Sequence, residues 1–265
     1  MTGPGAAGAS AAEHAARLAA RADQVALCLD FDGTLSPIVP DPEAARPLEG
    51  VVELLGPLAE RFAAVALVSG RPADYLAEHA AAPGVRYLGM YGLQEIRDGQ
   101  VWVDPRLEAG RPAVEAAQRD LREHPAVPDS GAFLEDKRYA VAVHTRRVAE
   151  PDRWAGPVDQ AAARVAARHH LEVVPGRMVW ELRPQVPSDK GDAVRRVAAE
   201  SGARRLVVVG DDRGDLPAFA VAAEVGDGLR VAVRSAEAPA ELLEAADLIL
   251  DGPEGVREFL EHQLA

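Results

Sequence analysis

The chain has 265 residues, of which 48% are hydrophobic and 5% are aromatic, and its formal net charge at pH 7 is -13. A chain of this length can bury one large core or two modest ones, and its composition lies far from that of disordered chains. The negative charge argues against a general nucleic-acid or membrane-surface binder, because both of those partners require a positive field. An anionic ligand would therefore need a local cation.

The N-terminal segment and the cysteine content indicate the compartment. Segment 1–24 is rich in Ala and Gly, but Glu13 and Arg17 interrupt the apolar run that a signal peptide or a spanning helix requires. We predict an N-terminal tail over 1–24 with a surface helix at about 11–22. Cys28 is the single cysteine, which excludes a disulfide framework and a thiolate metal site. The sequence predicts a cytoplasmic protein with no membrane partner.

Three short apolar runs, each ending at polar residues, predict strands of one parallel sheet. The runs and the residues that follow them are Val25–Leu29 before Asp30, Val65–Val68 before Ser69, and Leu206–Val209 before Gly210-Asp211-Asp212. Apolar residues at helical spacing fill the intervals, which favours an α/β fold. Ligands of such sheets bind beyond the carboxyl ends of the strands. If the three strands are neighbours, we expect Asp30, Ser69 and Asp211 at one rim.

The middle of the chain has a different pattern. It contains a helix-like segment, an alternating strand over Tyr139–His144, an Ala-rich helix over Val158–His169 and two strand-like pieces around Pro175-Gly176-Arg177. This order predicts an α+β unit inserted between two parts of the parallel sheet. The predicted organisation is a tail at 1–24, a core formed by 25–106 and 184–265, and an α+β cap at 107–183.

The segment Asp30-Phe31-Asp32-Gly33-Thr34 carries the strongest chemical signal. Its two carboxylates follow a buried-type strand at a spacing of two, so both can leave the strand end toward one site. One carboxylate can attack phosphorus to give an aspartyl-phosphate, while the second protonates the leaving oxygen and later activates water. The alternative is a structural strand-to-loop turn, in which Asp-Gly pairs are common.

Three further acids, Asp211, Asp212 and Asp215, follow the third apolar run and are expected to join Asp30 and Asp32. Clustering so many carboxylates without a cation is severely destabilising. A bound hard divalent ion is therefore expected. Oxygen ligands with room for phosphate suit Mg²⁺, which would also neutralise charge on a transferring phosphoryl group.

Lys190 and Ser69 lie where a phosphate could bind. Lys190 opens an amphipathic helix, with Ser188 as its predicted N-cap, and a cation at that end is unfavourable unless it faces anions. It could contact phosphate and the Asp30 carboxylate together. Ser69 can donate its hydroxyl, and Gly70 its backbone N–H, to a phosphate oxygen. The structural alternatives are an exposed lysine and a Ser-Gly turn.

Taken in order, these segments resemble the four motifs of haloacid dehalogenase-like phosphatases. The motifs are Asp30-Phe31-Asp32-Gly33-Thr34, Ser69-Gly70-Arg71, Lys190-Gly191 and Gly210-Asp211-Asp212. The resemblance implies a Rossmann-like core with an inserted cap of the C2 type. It implies Asp30 as the nucleophile and Asp32 as the general acid and base, with Ser69 and Lys190 completing the catalytic set. The implied Mg²⁺ ligands are Asp30, the Asp32 backbone carbonyl and Asp211, with Asp212 or Asp215 in support.

The region between Ser69 and Lys190 also resembles trehalose-6-phosphate phosphatases. The matching stretches are Gly89-Met90-Tyr91-Gly92-Leu93-Gln94, Glu135-Asp136-Lys137 with His144-Thr145-Arg146, and Gly176-Arg177 through Glu181-Leu182-Arg183-Pro184. The resemblance implies hydrolysis of trehalose 6-phosphate. The implied substrate-binding residues are Asp30, Phe31, Asp32, Gly70, Arg71, Lys137, His144, Arg146 and Glu181. Charged side chains suit a disaccharide, which offers many hydroxyls and little apolar surface.

Some positions depart from the pattern of that family. Tyr91, Gln94 and Thr145 stand where the family more often has His, Glu and Tyr, and His144 could instead be a structural residue. One alternative is therefore a phosphatase of another sugar phosphate or of a glucosyl- or mannosyl-3-phosphoglycerate. Another is a non-catalytic binding domain of the same fold, although such a domain needs no nucleophile paired with a proton donor. We expect a sugar phosphate as partner, no nucleic acid, and a monomer or weak homo-oligomer.

Overall fold

The computed structural model describes residue 18 and residues 20–225, 228–236 and 238–265. The chain divides into two compact units. The first takes in the described residues up to Trp102 and those from Ser188 onward, and the second is Val103–Pro187. Most of the predicted tail and its helix at 11–22 lie outside the described residues, and Ala22–Gln24 form a short 3₁₀ helix before the first strand.

The described residues form twelve strands and eight α-helices. The strands are β1 (Val25–Leu29), β2 (Ala64–Val68), β3 (Arg86–Gly89), β4 (Gln94–Arg97), β5 (Gln100–Val103), β6 (Phe133–Asp136), β7 (Val141–His144), β8 (Leu171–Gly176), β9 (Val179–Pro184), β10 (Arg205–Gly210), β11 (Leu229–Arg234) and β12 (Leu248–Asp251). The helices are α1 (Val51–Arg61), α2 (Ala73–His79), α3 (Pro105–Glu123), α4 (Pro151–Arg168), α5 (Lys190–Ser201), α6 (Leu216–Glu224), α7 (Ala240–Ala245) and α8 (Gly252–Leu264). Within the described ranges, no helix has the length and apolar character needed to cross a membrane.

The sheet of the first unit runs in the order β12-β11-β10-β1-β2-β3-β4-β5. Its strands are parallel from β12 to β3, and β4 is antiparallel to β3. The predicted α/β fold with a central parallel sheet is confirmed. The sequence does not predict β3, β4 and β5, because each has four residues and begins with a polar side chain, so none of them contains an apolar or alternating run long enough to indicate a strand.

Strand β1 lies between β10 and β2, and all five of its residues are buried. Alternate residues pack into a core shared with α1 and α8 and into a core shared with α5 and α6. Burial on both faces explains the uninterrupted apolar run. Leu29 pairs with Val209 on one side and with Leu67 on the other. The carboxyl ends of these three strands therefore lie side by side, which brings together the polar residues that follow them.

The second unit contains a four-stranded antiparallel sheet in the order β6-β7-β9-β8. One face is apolar and packs against α3 and α4, with Val143 and Leu182 fully buried between the layers. Because strand side chains alternate, Glu135 and Glu181 lie on the opposite face. This unit is the α+β insertion that the sequence predicts, and its action as a cap stays a prediction.

The second unit extends beyond the predicted limits of 107–183. At its start, Asp104 caps α3, since its carboxylate accepts a 2.9 Å hydrogen bond from the Arg106 backbone N–H. At its end, β9 pairs with β8 as far as Pro184. The N-cap of α3 and the pairing of β8 with β9 therefore place both boundaries of the unit a few residues outside those predicted.

Candidate active site

Lys190 contacts two buried acids at the end of the central strand. Its Nζ lies 2.7 Å from Asp30 Oδ1 and 2.7 Å from Asp215 Oδ1. All three side chains are at most 6% exposed. The Asp30 N–H donates to the Val209 carbonyl at 2.9 Å, which continues the pairing of β1 with β10 by one residue and fixes the position of Asp30. The structure thus brings Lys190 to the Asp30 carboxylate, as the sequence predicts.

Helix α5 positions Lys190 at its first turn. The N-cap is Asp189, whose carboxylate accepts a 3.0 Å hydrogen bond from the Asp192 N–H. The apolar face of the helix packs on the sheet and keeps Lys190 buried. The prediction that Ser188 is the N-cap is wrong, because the Ser188 hydroxyl donates instead to the Tyr91 carbonyl at 2.8 Å.

The turn after β10 contains a capping box, which fixes the position of the Asp215 side chain. The Asp215 Oδ2 accepts hydrogen bonds of 3.1 Å from the backbone N–H groups of Asp211 and Asp212. The exposed Asp212 side chain accepts one of 2.8 Å from the Gly214 N–H. A Cβ at Gly210 would overlap the Asp215 carboxylate, so the chain needs glycine there. Of the two acids predicted as alternative supporting ligands, Asp215 lies in the buried cluster, whereas Asp212 caps the turn.

Asp30, Asp211 and Asp215 form this buried cluster, in which one carboxylate oxygen from each lies within 4.8 Å of the others. A set of oxygen donors suits a hard divalent cation such as Mg²⁺. Gly33, at φ 77°, allows Asp211 to enter the cluster, because a Cβ there would overlap the Asp211 carboxylate. The residues present therefore fit the predicted ion.

The charges of the cluster are not balanced by protein groups alone. Burial raises the pKa of Asp30 to about 8, that of Asp211 to about 10 and that of Asp215 to about 6. Neighbouring carboxylates contribute to these raised pKa values, and Lys190 offsets part of the rise. Burial alone would lower the pKa of Lys190, but Asp215 and Asp30 raise it well above its ordinary value. One lysine cannot balance three buried carboxylates, so a further cation favours their charged forms.

In the loop after β1, the side chains of Phe31 and Asp32 have different surroundings. Arg71 donates from Nε to Asp32 Oδ2 and from a terminal nitrogen to Asp32 Oδ1, each at 2.7 Å. This bidentate pair is absent from the sequence-based prediction, which assigns Arg71 to the substrate and the Asp32 carboxylate to the leaving oxygen. Phe31 is completely buried. Phe31 is one of the predicted substrate-binding residues, and it can therefore contact a ligand only through its backbone.

Ser69 and Gly70 follow β2 at the same rim. The Ser69 N–H donates to the Leu88 carbonyl at 3.1 Å, and the Ser69 carbonyl accepts from the Tyr91 N–H at 3.0 Å. The Tyr91 ring lies against Gly70, since a Cβ on Gly70 would be 2.9 Å from the Tyr91 Oη. The turn that carries the predicted phosphate donors is thus fixed by the loop after β3.

In the second unit, the polar face of the sheet carries a charged cluster. Lys137 Nζ lies 2.6 Å from Glu181 Oε2, and His144 Nε2 lies 2.8 Å from Glu135 Oε2. Lys137 Nζ is also 3.9 Å from Glu135 Oε2, which joins the two pairs. Arg146 is half-buried and lies two residues beyond β7. Glu135 is an addition to the predicted set, and the antiparallel register of β6 with β7 puts it on the face of His144.

A family model described as trehalose-phosphatase matches residues 28–250. The chain belongs to the trehalose-phosphatase family. Its curated relatives include the trehalose-phosphate phosphatase of Mycobacterium leprae (strain TN), 37% identical over 252 residues, and that of Mycobacterium tuberculosis (strain ATCC 25618 / H37Rv), 38% identical over 245 residues. The alignments cover 91% and 90% of this chain but 57% and 61% of those relatives, so the chain spans less than two thirds of their length.

Solved structures share the fold of this trehalose-phosphatase family member. The C-terminal domain of a trehalose-6-phosphate phosphatase from C. albicans has a TM-score of 0.78 at 21% identity, and the match covers 96% of each chain. A haloacid dehalogenase-like hydrolase from Bacteroides thetaiotaomicron has a TM-score of 0.58 at 19% identity, covering 89% of this chain and 98% of that chain. These matches confirm the predicted fold of the core.

Two departures from the trehalose-phosphatase pattern, Tyr91 and Gln94, lie in the loop after β3 and at the start of β4. Met90 and Tyr91 adopt left-handed conformations with φ of 49° and 58°, which are costly for residues other than glycine. The Met90 N–H donates to the Arg71 carbonyl at 2.9 Å. Gln94 Oε1 accepts a 3.0 Å hydrogen bond from the Ala73 N–H, at the start of α2. Tyr91 and Gln94 therefore contact the segment that follows β2.

Proposed function

We propose that this chain is a Mg²⁺-dependent phosphatase that hydrolyses trehalose 6-phosphate to trehalose and phosphate through an aspartyl-phosphate on Asp30. The observation that carries the proposal is the buried contact of Asp30 with Lys190 beside Asp211 and Asp215. Family membership and the names of the curated relatives support the choice of substrate. A purely structural role does not explain this arrangement, because burying several acids costs stability.

Asp30, Asp211 and Asp215 would hold the Mg²⁺, with the backbone carbonyl of Asp32 as a further ligand. When bound, the ion neutralises negative charge on the transferring phosphoryl group. Asp212 keeps its place as the cap of the turn after β10.

Phosphate binding falls to Lys190, Ser69 and Gly70. Lys190 already pairs with Asp30, so it can balance the charges of the nucleophile and of the phosphate together. The Ser69 hydroxyl and the Gly70 N–H supply neutral donors to the phosphate oxygens. These groups orient the phosphorus for attack from the end of β1.

In the first step, a carboxylate oxygen of Asp30 attacks phosphorus and forms a P–O bond. The P–O bond to the C6 oxygen of trehalose breaks, and that oxygen takes a proton from the Asp32 carboxyl group. Proton donation makes trehalose a neutral alcohol as it leaves, which avoids a high-energy alkoxide. The products of this step are trehalose and the aspartyl-phosphate.

In the second step, water gives a proton to the Asp32 carboxylate while its oxygen attacks the phosphorus. The bond between phosphorus and the Asp30 oxygen breaks and releases inorganic phosphate. Asp30 returns to its carboxylate form and Asp32 is again protonated, so both acids are ready for the next turnover.

Recognition of the sugar is assigned to Lys137, His144, Arg146 and Glu181 of the second unit. Ion pairs already fix the first, second and fourth of these side chains, and fixed charged groups bind hydroxyls at low entropic cost. The departures at Tyr91 and Gln94 favour one alternative substrate class, another sugar phosphate or a glycosyl-3-phosphoglycerate.

The test is Mg²⁺-dependent phosphate release from trehalose 6-phosphate, glucose 6-phosphate, sucrose 6-phosphate and glucosyl-3-phosphoglycerate. Asp30→Asn serves as the control, because its amide keeps the shape of the side chain but cannot act as the nucleophile. We expect selective hydrolysis of trehalose 6-phosphate that is lost in Asp30→Asn. Activity on another ester and none on trehalose 6-phosphate would show that the proposed substrate is wrong. Full activity of Asp30→Asn would refute the mechanism.

A further inference from the structure

The carboxylate of Asp32 is oriented by a buried arginine. The Arg71 side chain is 9% exposed, whereas that of Asp32 is 40% exposed, so the arginine is the fixed partner of the pair. Two parallel hydrogen bonds define the plane of the carboxylate as well as its position. Each carboxylate oxygen has a second lone pair. Asp32 can therefore exchange a proton with a substrate while Arg71 maintains its orientation.

Arg71 is in turn supported by an aromatic ring. Its guanidinium carbon lies 4.7 Å from the centroid of the Tyr75 ring, on the first turn of α2. The Tyr75 hydroxyl donates to the Ala45 carbonyl at 2.7 Å, and the ring lies edge-to-face with Phe31 at 5.8 Å. Phe31 immediately precedes Asp32, so the ring contacts one member of the ion pair and the chain neighbour of the other.

We propose that Tyr75 is a positioning residue for the reaction, and that it acts through Arg71 to orient the proton-transferring carboxylate of Asp32. The inference rests on the proposed phosphatase function and adds a residue that the sequence motifs do not contain. Stacking on an aromatic face fixes the plane of a guanidinium group. Without the ring, Arg71 keeps its charge and loses the surface that orients it toward Asp32.

The experiment separates proton donation from general damage by comparing two esters. Trehalose is a poor leaving group that needs the proton of Asp32, whereas p-nitrophenolate leaves without one. The value of kcat/KM reports the steps through formation of the aspartyl-phosphate, in which the leaving group departs. A misplaced Asp32 therefore lowers kcat/KM for trehalose 6-phosphate more than for p-nitrophenyl phosphate.

Two variants of Tyr75 test the role of the ring. Tyr75→Phe keeps the aromatic face and loses the hydrogen bond to Ala45, and we expect it to retain the ratio of the two kcat/KM values. Tyr75→Leu removes the face. General acid catalysis contributes roughly 10²- to 10⁴-fold, and we expect Tyr75→Leu to lose about tenfold more on trehalose 6-phosphate than on p-nitrophenyl phosphate. Asp32→Asn gives the upper limit of this selective loss.

Tyr87→Leu is the matched control. Tyr87 is 6% exposed, belongs to the same core, and its hydroxyl donates to the Ala80 carbonyl at 2.9 Å. Tyr87→Leu, like Tyr75→Leu, replaces a tyrosine ring by leucine, but it does not remove the ring that contacts Arg71. We expect Tyr87→Leu to lower thermal stability while leaving the ratio of the two kcat/KM values at its wild-type level.

Equal losses on the two esters in Tyr75→Leu would overturn the inference, as would the same selective loss in Tyr87→Leu. If the wild-type protein is active and Tyr75→Leu loses equally on the two esters, the inference is refuted and the proposed function stays intact. A wild-type protein that hydrolyses a different sugar phosphate is tested with that ester in place of trehalose 6-phosphate. A wild-type protein inactive on every ester refutes the proposed function and this inference with it.

Discussion

At the scale of single residues, Lys190 is the position where charge balance matters most. It is the protein cation in contact with Asp30 and Asp215, and all three groups are buried. Removing one partner of a buried ion pair leaves an uncompensated charge, which costs far more than the loss of an exposed pair. Stability and catalysis are therefore both expected to depend on this side chain.

We predict that Lys190→Met lowers the free energy of unfolding by about 3 kcal/mol near pH 8. The loss is smaller near pH 5, because the neighbouring acids can take up protons there. Phosphatase activity falls at least roughly 100-fold, as is usual when a group that stabilises transition-state charge is removed. Denaturant unfolding at the two pH values and phosphate release measure both effects.

Arg195→Met is the control for Lys190→Met. Arg195 lies on the same helix and is 55% exposed, with a 3.3 Å contact to Glu224. An exposed pair of this kind contributes about 0–1 kcal/mol. Lys190→Met with activity near wild type, or a stability loss no larger than that of Arg195→Met, would contradict the importance assigned to the lysine.

At the scale of elements, the sequence predicts the strands that position the site and not the side-chain partners within it. The runs that form β1, β2 and β10 are buried on both faces, so their apolar pattern is unambiguous. Asp30, Ser69 and Asp211 follow directly from the ends of those strands. The Arg71–Asp32 pair does not, because it depends on side-chain rotamers and on neighbours distant in the chain. The choice between Asp212 and Asp215 depends on the capped turn, which spacing alone does not determine.

The turn after β1 gives a prediction at this scale. Gly33→Ala introduces a Cβ that overlaps the Asp211 carboxylate, at a residue with φ of 77°. We expect loss of most phosphatase activity, because Asp211 can no longer lie beside Asp30. The backbone strain by itself costs about 1 kcal/mol. Activity and the thermal shift caused by Mg²⁺ are the measurements.

Gly99→Ala separates strain from the clash. Gly99 has φ of 73°, and a Cβ there meets nothing within 4 Å. This variant should lose about 1 kcal/mol of stability and keep wild-type activity and Mg²⁺ response. If Gly33→Ala behaves in the same way, then the approach of Asp211 to the turn is not needed for function.

At the scale of the whole molecule, the acidic cluster links stability to pH and to the divalent cation. Burial raises the pKa of Asp30 to about 8, that of Asp211 to about 10 and that of Asp215 to about 6, from an ordinary 3.8. Without a cation, these three carboxyl groups therefore hold more protons in the folded state than in the unfolded state, from about pH 4 up to their folded-state pKa values. The free energy of unfolding then falls as pH rises through these folded-state pKa values.

A cation that binds the deprotonated carboxylates offsets this loss, so its effect should grow with pH. We expect millimolar Mg²⁺ to raise Tm by about 5 °C near pH 8.5 and by much less near pH 5.5, relative to protein treated with chelator. Asp211→Asn removes one ligand and a carboxyl group that must take up a proton to be buried near pH 8.5. It should therefore be more stable than wild type near pH 8.5 without Mg²⁺ and gain little when Mg²⁺ is added. Thermal unfolding of both proteins at the two pH values, with and without the ion, is the measurement. An equal shift at both pH values would mean that Mg²⁺ binds elsewhere, because ligands with raised pKa values must release protons to bind it.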